Sequence, residues 1–231
     1  MAKSILFIST VARNSISRMQ SNCSFALEIL FRATVKLPTF SLIFVETESA
    51  FMKSTIQVHD KHFEVFIEKA IIENRIIELA SEINQDYEGK RPLFLAILNG
   101  SFMFAAELMK SINVACEITF LRVSSYQATE STGKVHQILG LLENIENRDV
   151  IVVEDIVDTG LTMIEIKEQL LAQNPASLSV VTLFQKPEAL KQHIDIQYIG
   201  FEIENKFVLG YGLDYDGLGR NLSDLYVLCE E

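Results

Sequence analysis

Three acidic residues follow a short apolar run in the second half of the chain. Val150 to Val153 is continuously apolar; Glu154 and Asp155 come directly after it, and Asp158 follows two apolar residues later. Such a run is typical of a strand buried on both faces of a sheet, and ligands of open α/β sheets bind beyond the carboxyl ends of such strands. Carboxylates placed there can accept hydrogen bonds from sugar hydroxyls or hold a hard cation such as Mg²⁺.

The next five residues, Asp158-Thr159-Gly160-Leu161-Thr162, lead into a helix predicted from Leu161 to about Ala172. A helix start preceded by glycine and hydroxyl residues offers free backbone N–H groups and a positive dipole end, which suit phosphate. Phosphate next to carboxylates indicates a ribose phosphate ligand. The alternative is a plain turn, in which Asp158 or Thr159 caps the helix and the other acids lie in water.

The rest of the chain alternates apolar runs with helix-like segments. A helix is predicted from an N-cap at Asp60 to about Ile83, and another from Phe102 to about Ile112. Strands are predicted at Leu93 to Leu98, Ile118 to Val123, Val135 to Leu142, Val150 to Val153, Ser177 to Phe184, Ile196 to Phe201 and Phe207 to Leu209. This alternation predicts an α/β domain with a mostly parallel sheet.

The acidic run and its flanking motifs resemble a known family. Val150 to Thr162 resembles the phosphoribosyl-diphosphate signature of type I phosphoribosyltransferases, and the flanking motifs resemble the hypoxanthine-guanine branch. Those motifs are the Leu98-Asn99-Gly100 turn, Ser125-Tyr126, Lys186, and Lys206 to Tyr215 with Arg220 beyond. The resemblance spans about Ile56 to the C-terminus. It implies a mostly parallel central sheet flanked by helices, a small hood subdomain and a mobile lid loop at Ser124 to Lys134.

The resemblance implies a cytoplasmic purine-salvage enzyme. Such an enzyme uses Mg²⁺ to transfer a phosphoribosyl group from phosphoribosyl diphosphate to hypoxanthine, and also to guanine, which yields IMP or GMP and pyrophosphate. A homo-oligomer, dimer or tetramer, is implied as well. Two alternatives stay open: a xanthine-preferring enzyme, and a nucleotide-sensing regulator of the same fold that binds RNA. The acidic balance of the chain and the presence of Asp158 argue against the regulator.

Residue roles follow from the same resemblance. Asp158 would exchange a proton with the purine as the catalytic residue. Purine binding is implied for Lys186, Phe207, Val208 and Asp214, and metal binding for Glu154, Asp155 and Asp214. Phosphoribosyl diphosphate binding is implied for Asn99, Gly100, Ser125, Tyr126, Glu154, Asp155, Asp158, Thr159, Gly160, Leu161, Thr162 and Arg220. The simpler interpretations are surface positions for Lys186 and Arg220, a core aromatic for Phe207 and a hairpin loop for the lid.

Two positions depart from the family pattern. Many relatives carry Lys where this chain has Asn99, so one positive contact is absent from the pyrophosphate turn. Leu161 likewise replaces a frequently basic or polar residue, although the main donors of that loop are backbone groups. The peptide between Leu98 and Asn99 is a candidate for the cis form, which is tied to function when it precedes a residue other than proline.

Composition limits the classes of partner. The 231 residues are 48% hydrophobic and 22% charged, which is typical of a globular protein. The net charge of −11, from 20 Lys and Arg against 31 Asp and Glu, opposes non-specific binding to nucleic acid or anionic membranes. Three separated cysteines without a CxxC pair favour a reducing compartment. His59 and His62 have no third ligand in sequence, so they are predicted to face solvent.

The N-terminal residues differ from the rest. Up to Val45 the only acid is Glu28, and no helical or alternating period is sustained. This composition faintly resembles a transit peptide and is a poorer match to a secretory signal. We expect residues 1–51 to be an extension outside the fold and residues 52–231 to form the phosphoribosyltransferase domain; one hypothesis is that the working protein begins at Met52.

Overall fold

The structure is a computed structural model that describes residues 55–127, 134–139 and 141–229. The predicted extension 1–51, and with it the boundary at residue 52, lies outside the described residues. Within those ranges, no helix has both the length and the apolar character needed to cross a bilayer.

The described elements alternate along most of the chain, as predicted. The helices are α1 (Lys69–Asp86), α2 (Phe102–Ser111) and α3 (Leu161–Leu171). The strands are β1 (Thr55–Val58), β2 (Lys61–Ile67), β3 (Leu93–Leu98), β4 (Glu117–Gln127), β5 (Lys134–Leu139), β6 (Asp149–Val157), β7 (Ser177–Gln185), β8 (Tyr198–Glu202), β9 (Val208–Leu209) and β10 (Leu225–Leu228).

Six strands form the central sheet in the order β5-β4-β3-β6-β7-β8. All neighbours are parallel except β4 and β5, which form an antiparallel pair. Helices α1 and α2 pack on one face and α3 packs on the other, and each face has its own apolar cluster. Because β3 and the first half of β6 are buried from both sides, their sequences are continuously apolar. The predicted mostly parallel sheet flanked by helices is confirmed.

The remaining strands form a smaller antiparallel sheet in the order β1-β2-β10-β9. Its core contains Phe63, Leu209 and Tyr226. The sheet combines residues from both ends of the domain, since β2 and β10 are about 160 positions apart. This sheet corresponds to the hood subdomain that the family resemblance implied.

The predicted helix from Asp60 to Ile83 is wrong in its first part. Lys61–Ile67 is strand β2, and the helix begins only at Lys69, with Glu68 as its N-cap residue. Asp60 lies in the β1–β2 turn, where its Oδ1 atom accepts a 2.9 Å hydrogen bond from the Tyr215 hydroxyl. Pairing with β10 overrides the local helical spacing of the apolar residues. His59 lies in this turn and His62 is the second residue of β2, and both are exposed, as predicted.

The segment predicted as a lid is only partly described. Strand β4 continues to Gln127 and pairs with β5, so the backbone at residues 124–127 is a strand rather than a loop. Residues 128–133 lie outside the described residues. The predicted mobile lid therefore stays a prediction, and so does the alternative of a long hairpin loop.

The strand order of the central sheet requires a crevice between β3 and β6. From β3 the sheet continues through β4 on one side, and from β6 it continues through β7 on the other. Connections that leave in opposite directions create a topological switch point between β3 and β6, where open α/β sheets bind ligands. The turn at Asn99 and the acidic end of β6 both lie at this point.

Candidate active site

The acidic residues of β6 lie inside the strand rather than after it. Pairing between β3 and β6 ends at Val153, whereas pairing between β6 and β7 continues to Val157. Glu154 and Asp155 therefore occupy the part of β6 that has lost its β3 neighbour. The free edge opens into a cavity of about 480 Å³ at the switch point.

The cavity brings together most of the predicted site residues. Its lining includes the predicted residues Asn99, Gly100, Glu154, Asp155, Asp158, Thr162, Lys186, Phe207, Val208, Asp214 and Arg220. These residues come from five separate segments of sequence, so their convergence is a property of the fold. The lining also includes Ile97 and Val123, which lie outside the predicted motifs, and Leu98, Ile156 and Leu213, which lie inside them but were given no binding role. Apolar residues at strand ends carry no chemical signal, and only the tertiary structure identifies them.

The turn after β3 is packed tightly against the acidic strand. The peptide bond between Leu98 and Asn99 is cis, as predicted. A methyl group at Gly100 would overlap the Oδ2 atom of Asp155, and one at Gly212 would overlap the Gly100 carbonyl oxygen. Glycine is required at Gly212, where φ is 102° and the obstacle is backbone, whereas at Gly100 a side chain would displace the Asp155 carboxylate.

Glu154 and Asp155 have unfavourable surroundings for negative charge. Burial raises the pKa of Glu154 well above its usual value, and the neighbouring Asp155 raises it further. Burial also raises the pKa of Asp155 to about 6, against the lowering effect of its hydrogen bond from the Ile156 N–H and of nearby Arg220. The Glu154 Oε2 atom is buried and has no hydrogen-bond partner among the described residues. This pair would be stabilised by a cation.

The other two carboxylates of the cavity are paired with cations. The Lys186 Nζ atom lies 3.0 Å from Asp158 Oδ2, and the lysine side chain is only 8% exposed. A lysine buried to this extent is unusual, so the simple interpretation of a surface lysine does not hold. The pair is held between the end of β6 and the end of β7, because the Lys186 N–H donates to the Val157 carbonyl at 3.0 Å.

Asp214 and Arg220 belong to a tight loop between β9 and β10. The Arg220 Nη2 atom lies 2.5 Å from Asp214 Oδ1, and Arg220 Nη1 donates to the Gly212 carbonyl at 2.8 Å. The second Asp214 oxygen accepts a 2.8 Å hydrogen bond from the Gly217 N–H. These contacts hold the arginine at the cavity, where its remaining N–H donors can bind an anion.

Phe207 lies at the rim of the cavity on the hood side. Its ring is 44% exposed and stands edge-on to Tyr215, with 5.6 Å between ring centroids. Val208, the next residue, is buried in β9. A core position for Phe207 is therefore excluded, and its exposed face is available for stacking on a flat ligand.

The loop after β6 encloses a second, smaller cavity of about 130 Å³. Thr159, Gly160 and Thr162 line it together with Glu154 and Asp158. Gly160 has a left-handed conformation (φ 77°) and is the N-cap residue of α3, so the first N–H groups of the helix have no partner within the helix. The size and donors of this cavity suit a phosphate group. The Leu161 side chain is 41% exposed and does not line the cavity, which leaves its backbone N–H as a possible donor.

Two predicted site residues cannot be placed by their side chains. Ser125 and Tyr126 are in β4, paired with His136 and Val135. Their side chains lie outside the described residues. The cavity residues on β3 and β4 also have an unpredicted neighbour, Arg122, which contacts Asn99.

The donor set of the cavity fits a divalent cation only in part. Within the described ranges, no group of three His, Cys, Asp or Glu side chains is arranged to hold a metal ion. Mg²⁺, however, is commonly held by one or two carboxylates together with substrate phosphates and water. Glu154 and Asp155, with their raised pKa values and an unpartnered oxygen, fit that role.

Comparisons with known proteins agree with this geometry. The family described as phosphoribosyl transferase domain matches residues 67–216. A hypoxanthine-guanine phosphoribosyltransferase of Staphylococcus aureus (strain Mu50) is 43% identical over 175 residues, covering 75% of this chain and 98% of that protein. The corresponding protein of Lactococcus lactis (strain IL1403) is 44% identical over 178 residues, covering 74% and 97%.

A solved structure supports the same assignment. The crystal structure of a hypoxanthine phosphoribosyltransferase from Staphylococcus aureus has 43% sequence identity and a TM-score of 0.67, and the match covers 72% of this chain and 91% of that one. The fold, the motifs and the relatives are mutually consistent, and this chain belongs to the phosphoribosyltransferase family, in its hypoxanthine-guanine branch.

Proposed function

We propose that this protein transfers a phosphoribosyl group from phosphoribosyl diphosphate to hypoxanthine, which forms IMP and releases pyrophosphate in purine salvage. The observation that carries the proposal is the Lys186–Asp158 pair at the switch-point cavity, next to the exposed face of Phe207. The family match and its hypoxanthine-guanine relatives support the same reaction.

The paired side chains complement one edge of a 6-oxopurine. Lys186 is a donor and would bind the 6-oxo oxygen, while Asp158 is an acceptor and would bind the neighbouring N7–H. Adenine presents an amino group in place of the oxygen and would leave the buried lysine facing another donor. This mismatch predicts selection against adenine.

Asp158 would act as the general base. As purine N9 bonds to the C1′ carbon of the sugar, the bond from C1′ to the pyrophosphate oxygen breaks and the N7 proton passes to the Asp158 carboxylate. The sugar carbon is cation-like at this stage, as in other glycosyl transfers. Asp158 is 48% exposed, so it can exchange its proton with solvent after product release.

The phosphate groups would occupy the two ends of the site. The loop from Thr159 to Thr162 would bind the 5′-phosphate in the smaller cavity, and Arg220 would bind pyrophosphate through its guanidinium. Glu154 and Asp155 would hold Mg²⁺ and the ribose hydroxyls, and we propose Asp214 for a second metal. When bound, the metal would polarise the pyrophosphate leaving group.

The direct test is an assay with purified protein, Mg²⁺ and phosphoribosyl diphosphate, in which hypoxanthine, guanine, xanthine and adenine are offered separately. We expect hypoxanthine to give IMP with one pyrophosphate per turnover, guanine to be a second substrate and adenine to be inactive. Faster turnover of xanthine would favour the xanthine alternative. Salt-dependent RNA binding without any nucleotide formation would contradict the proposal and favour the regulator.

Three further properties belong to this proposal. A homo-oligomer, dimer or tetramer, is expected from the family and is measured by light scattering. A cytoplasmic location is expected from the cysteine usage of the sequence, which has three separated cysteines and no CxxC pair. The lid at residues 124–134 is expected to gain protection from limited proteolysis when Mg²⁺ and substrates bind.

A further inference from the structure

Arg122 lies next to the turn that closes the cavity, although it does not line the cavity itself. The parallel pairing of β3 and β4 places Arg122 opposite Leu98, immediately before the turn. From there its Nη2 atom donates a 3.1 Å hydrogen bond to the Asn99 side chain oxygen, Oδ1. A guanidinium has only donors, so the amide atom that faces it must be the oxygen.

Both side chains are exposed, and in this contact the Asn99 amide turns its oxygen towards Arg122. With Oδ1 held by Arg122, the amide presents its two Nδ2 donors away from the guanidinium. Within the described residues, no hydrogen bond from Nδ2 competes for them. Asn99 lines the cavity. Its donors are therefore available to an acceptor there, and a charged hydrogen-bond partner polarises the amide in the direction that strengthens them.

The cavity offers a bound diphosphate little unpaired positive charge. Four carboxylates line it, and its two cations, Lys186 and Arg220, are each paired with one of them. A diphosphate therefore enters a site in which both cations already have a carboxylate partner. No carboxylate of the described residues forms an ion pair with Arg122, so its positive charge is not neutralised by them.

We infer that Arg122 is a positioning residue for the pyrophosphate end of phosphoribosyl diphosphate, which it serves by holding and polarising Asn99. The inference rests on the proposed function. Arg122, on strand β4 outside the cavity, would supply the positive charge that the neutral Asn99 lacks.

The test compares Arg122→Gln with Arg91→Gln. Arg91 is a matched control because it lies just before β3, at the other end of the sheet, and pairs with Glu117 at 3.1 Å. For Arg122→Gln we expect the KM for phosphoribosyl diphosphate and the inhibition constant of pyrophosphate to rise about tenfold. The KM for hypoxanthine should stay at the wild-type value, and kcat should change by less than about twofold. Equal values for the two variants would overturn the inference.

A double-mutant cycle tests whether Arg122 acts through Asn99. Asn99→Ala should raise the same two constants, and adding Arg122→Gln in that background should change them by less than about twofold. Fully multiplicative effects would show that Arg122 acts independently and would contradict the inference. If Arg122→Gln does not fold, as judged by circular dichroism, Arg122→Lys replaces it. Its KM for phosphoribosyl diphosphate should rise about threefold, and an unchanged value would overturn the inference.

Failure of the inference can be distinguished from failure of the proposed function. If wild-type protein forms no nucleotide from any purine, the proposed function is wrong and Arg122 loses its role. If the wild-type protein is active and Arg122→Gln matches Arg91→Gln, only the inference fails.

Discussion

The cavity contains two kinds of carboxylate. Glu154 and Asp155 lie on strand β6, have no salt bridge among the described residues and have raised pKa values. Asp158 and Asp214 lie on loops, and each is paired with a cation, at 3.0 Å and 2.5 Å. We call these the strand pair and the loop pair.

The difference indicates a division of tasks. A carboxylate on a buried strand keeps its position but is poorly solvated, so it gains most from binding a cation that arrives with the substrate. A carboxylate on a loop, already balanced by Lys or Arg, can exchange partners when a ligand enters. The strand pair suits the first metal and the sugar. In the loop pair, Asp158 suits the purine, and Asp214, beside the pyrophosphate-binding Arg220, suits the second metal.

The largest effect is expected at Asp158 of the loop pair. Asp158→Asn keeps the shape of the side chain but removes the base, so kcat should fall about a hundredfold or more. The KM for phosphoribosyl diphosphate should change little. The measurement is steady-state kinetics, with Asp195→Asn as an exposed control that does not line the cavity. Wild-type turnover in Asp158→Asn would show that Asp158 is only a loop cap.

Lys186 is expected to give the next largest effect, on purine selectivity. Lys186→Gln removes the charged donor to the 6-oxo group, so kcat/KM for hypoxanthine should fall roughly thirtyfold, while the KM for phosphoribosyl diphosphate should stay within about twofold. Lys191→Gln, an exposed lysine outside the cavity, is the control. If Lys186→Gln changed the KM for phosphoribosyl diphosphate more than kcat/KM for hypoxanthine, the assignment of the Lys186–Asp158 pair to the purine would be wrong.

The strand pair should show a dependence of stability on pH. The pKa of Asp155, about 6 in the folded state against 3.8 ordinarily, means that the folded state binds this proton more tightly than the unfolded state does. The protonated carboxyl therefore stabilises the fold at low pH, and this contribution is lost as pH rises through about 6. Asp155→Asn, which avoids the buried charge, should raise the free energy of unfolding of ligand-free protein by about 1–3 kcal/mol at pH 7.5.

Urea denaturation of Asp155→Asn and wild type at pH 7.5 and pH 4 measures this effect. The difference between the two proteins should shrink towards zero at pH 4, where the carboxyl of Asp155 is protonated in the folded wild-type protein. Asp195→Asn should show no such pattern. A destabilised Asp155→Asn at pH 7.5 would mean that the ionised carboxylate is already well compensated without a cation.

Phe207 should give the smallest effect. Phe207→Leu keeps an apolar side chain at the rim but removes ring stacking, so the KM for hypoxanthine should rise about two- to tenfold, with kcat almost unchanged. Steady-state kinetics at saturating phosphoribosyl diphosphate measures it. Because Phe207 also contacts the rings of Phe63 and Tyr215, thermal denaturation checks that the hood sheet remains folded. An unchanged KM would remove Phe207 from the purine site.

Sequence alone predicted the parts of the fold whose patterns are local. Strand β3 was predicted at its observed bounds, because a continuous apolar run between a proline-containing turn and an Asn-Gly turn has few other interpretations. Strand β2 was misread as helix because its apolar residues have helical spacing; of its two partners, β1 is adjacent in sequence but β10 lies about 160 residues away. The extension of β4 to Gln127 was not predicted, because its polar sequence is typical of a loop and its strand conformation depends on pairing with β5.

The sequence predicted which residues belong to the site, but not which of them contact one another. The motifs indicated Asp158 and Lys186 separately, yet their 3.0 Å pairing depends on how β6 and β7 end side by side. The raised pKa values of Glu154 and Asp155 depend on burial, which sequence does not specify. Arg122 was missed because a lone arginine in a strand has no motif, and its contact with Asn99 follows from strand register.

The division between the two pairs is tested most directly by calorimetric titration of phosphoribosyl diphosphate into the protein, with Mg²⁺ and with EDTA. Wild-type protein should bind the compound about a hundredfold more tightly with Mg²⁺, the double variant Glu154→Gln with Asp155→Asn should lose this gain, and Asp158→Asn should keep it. Equal affinity of the wild type in Mg²⁺ and EDTA, or a loss in Asp158→Asn as large as in the double variant, would contradict the account.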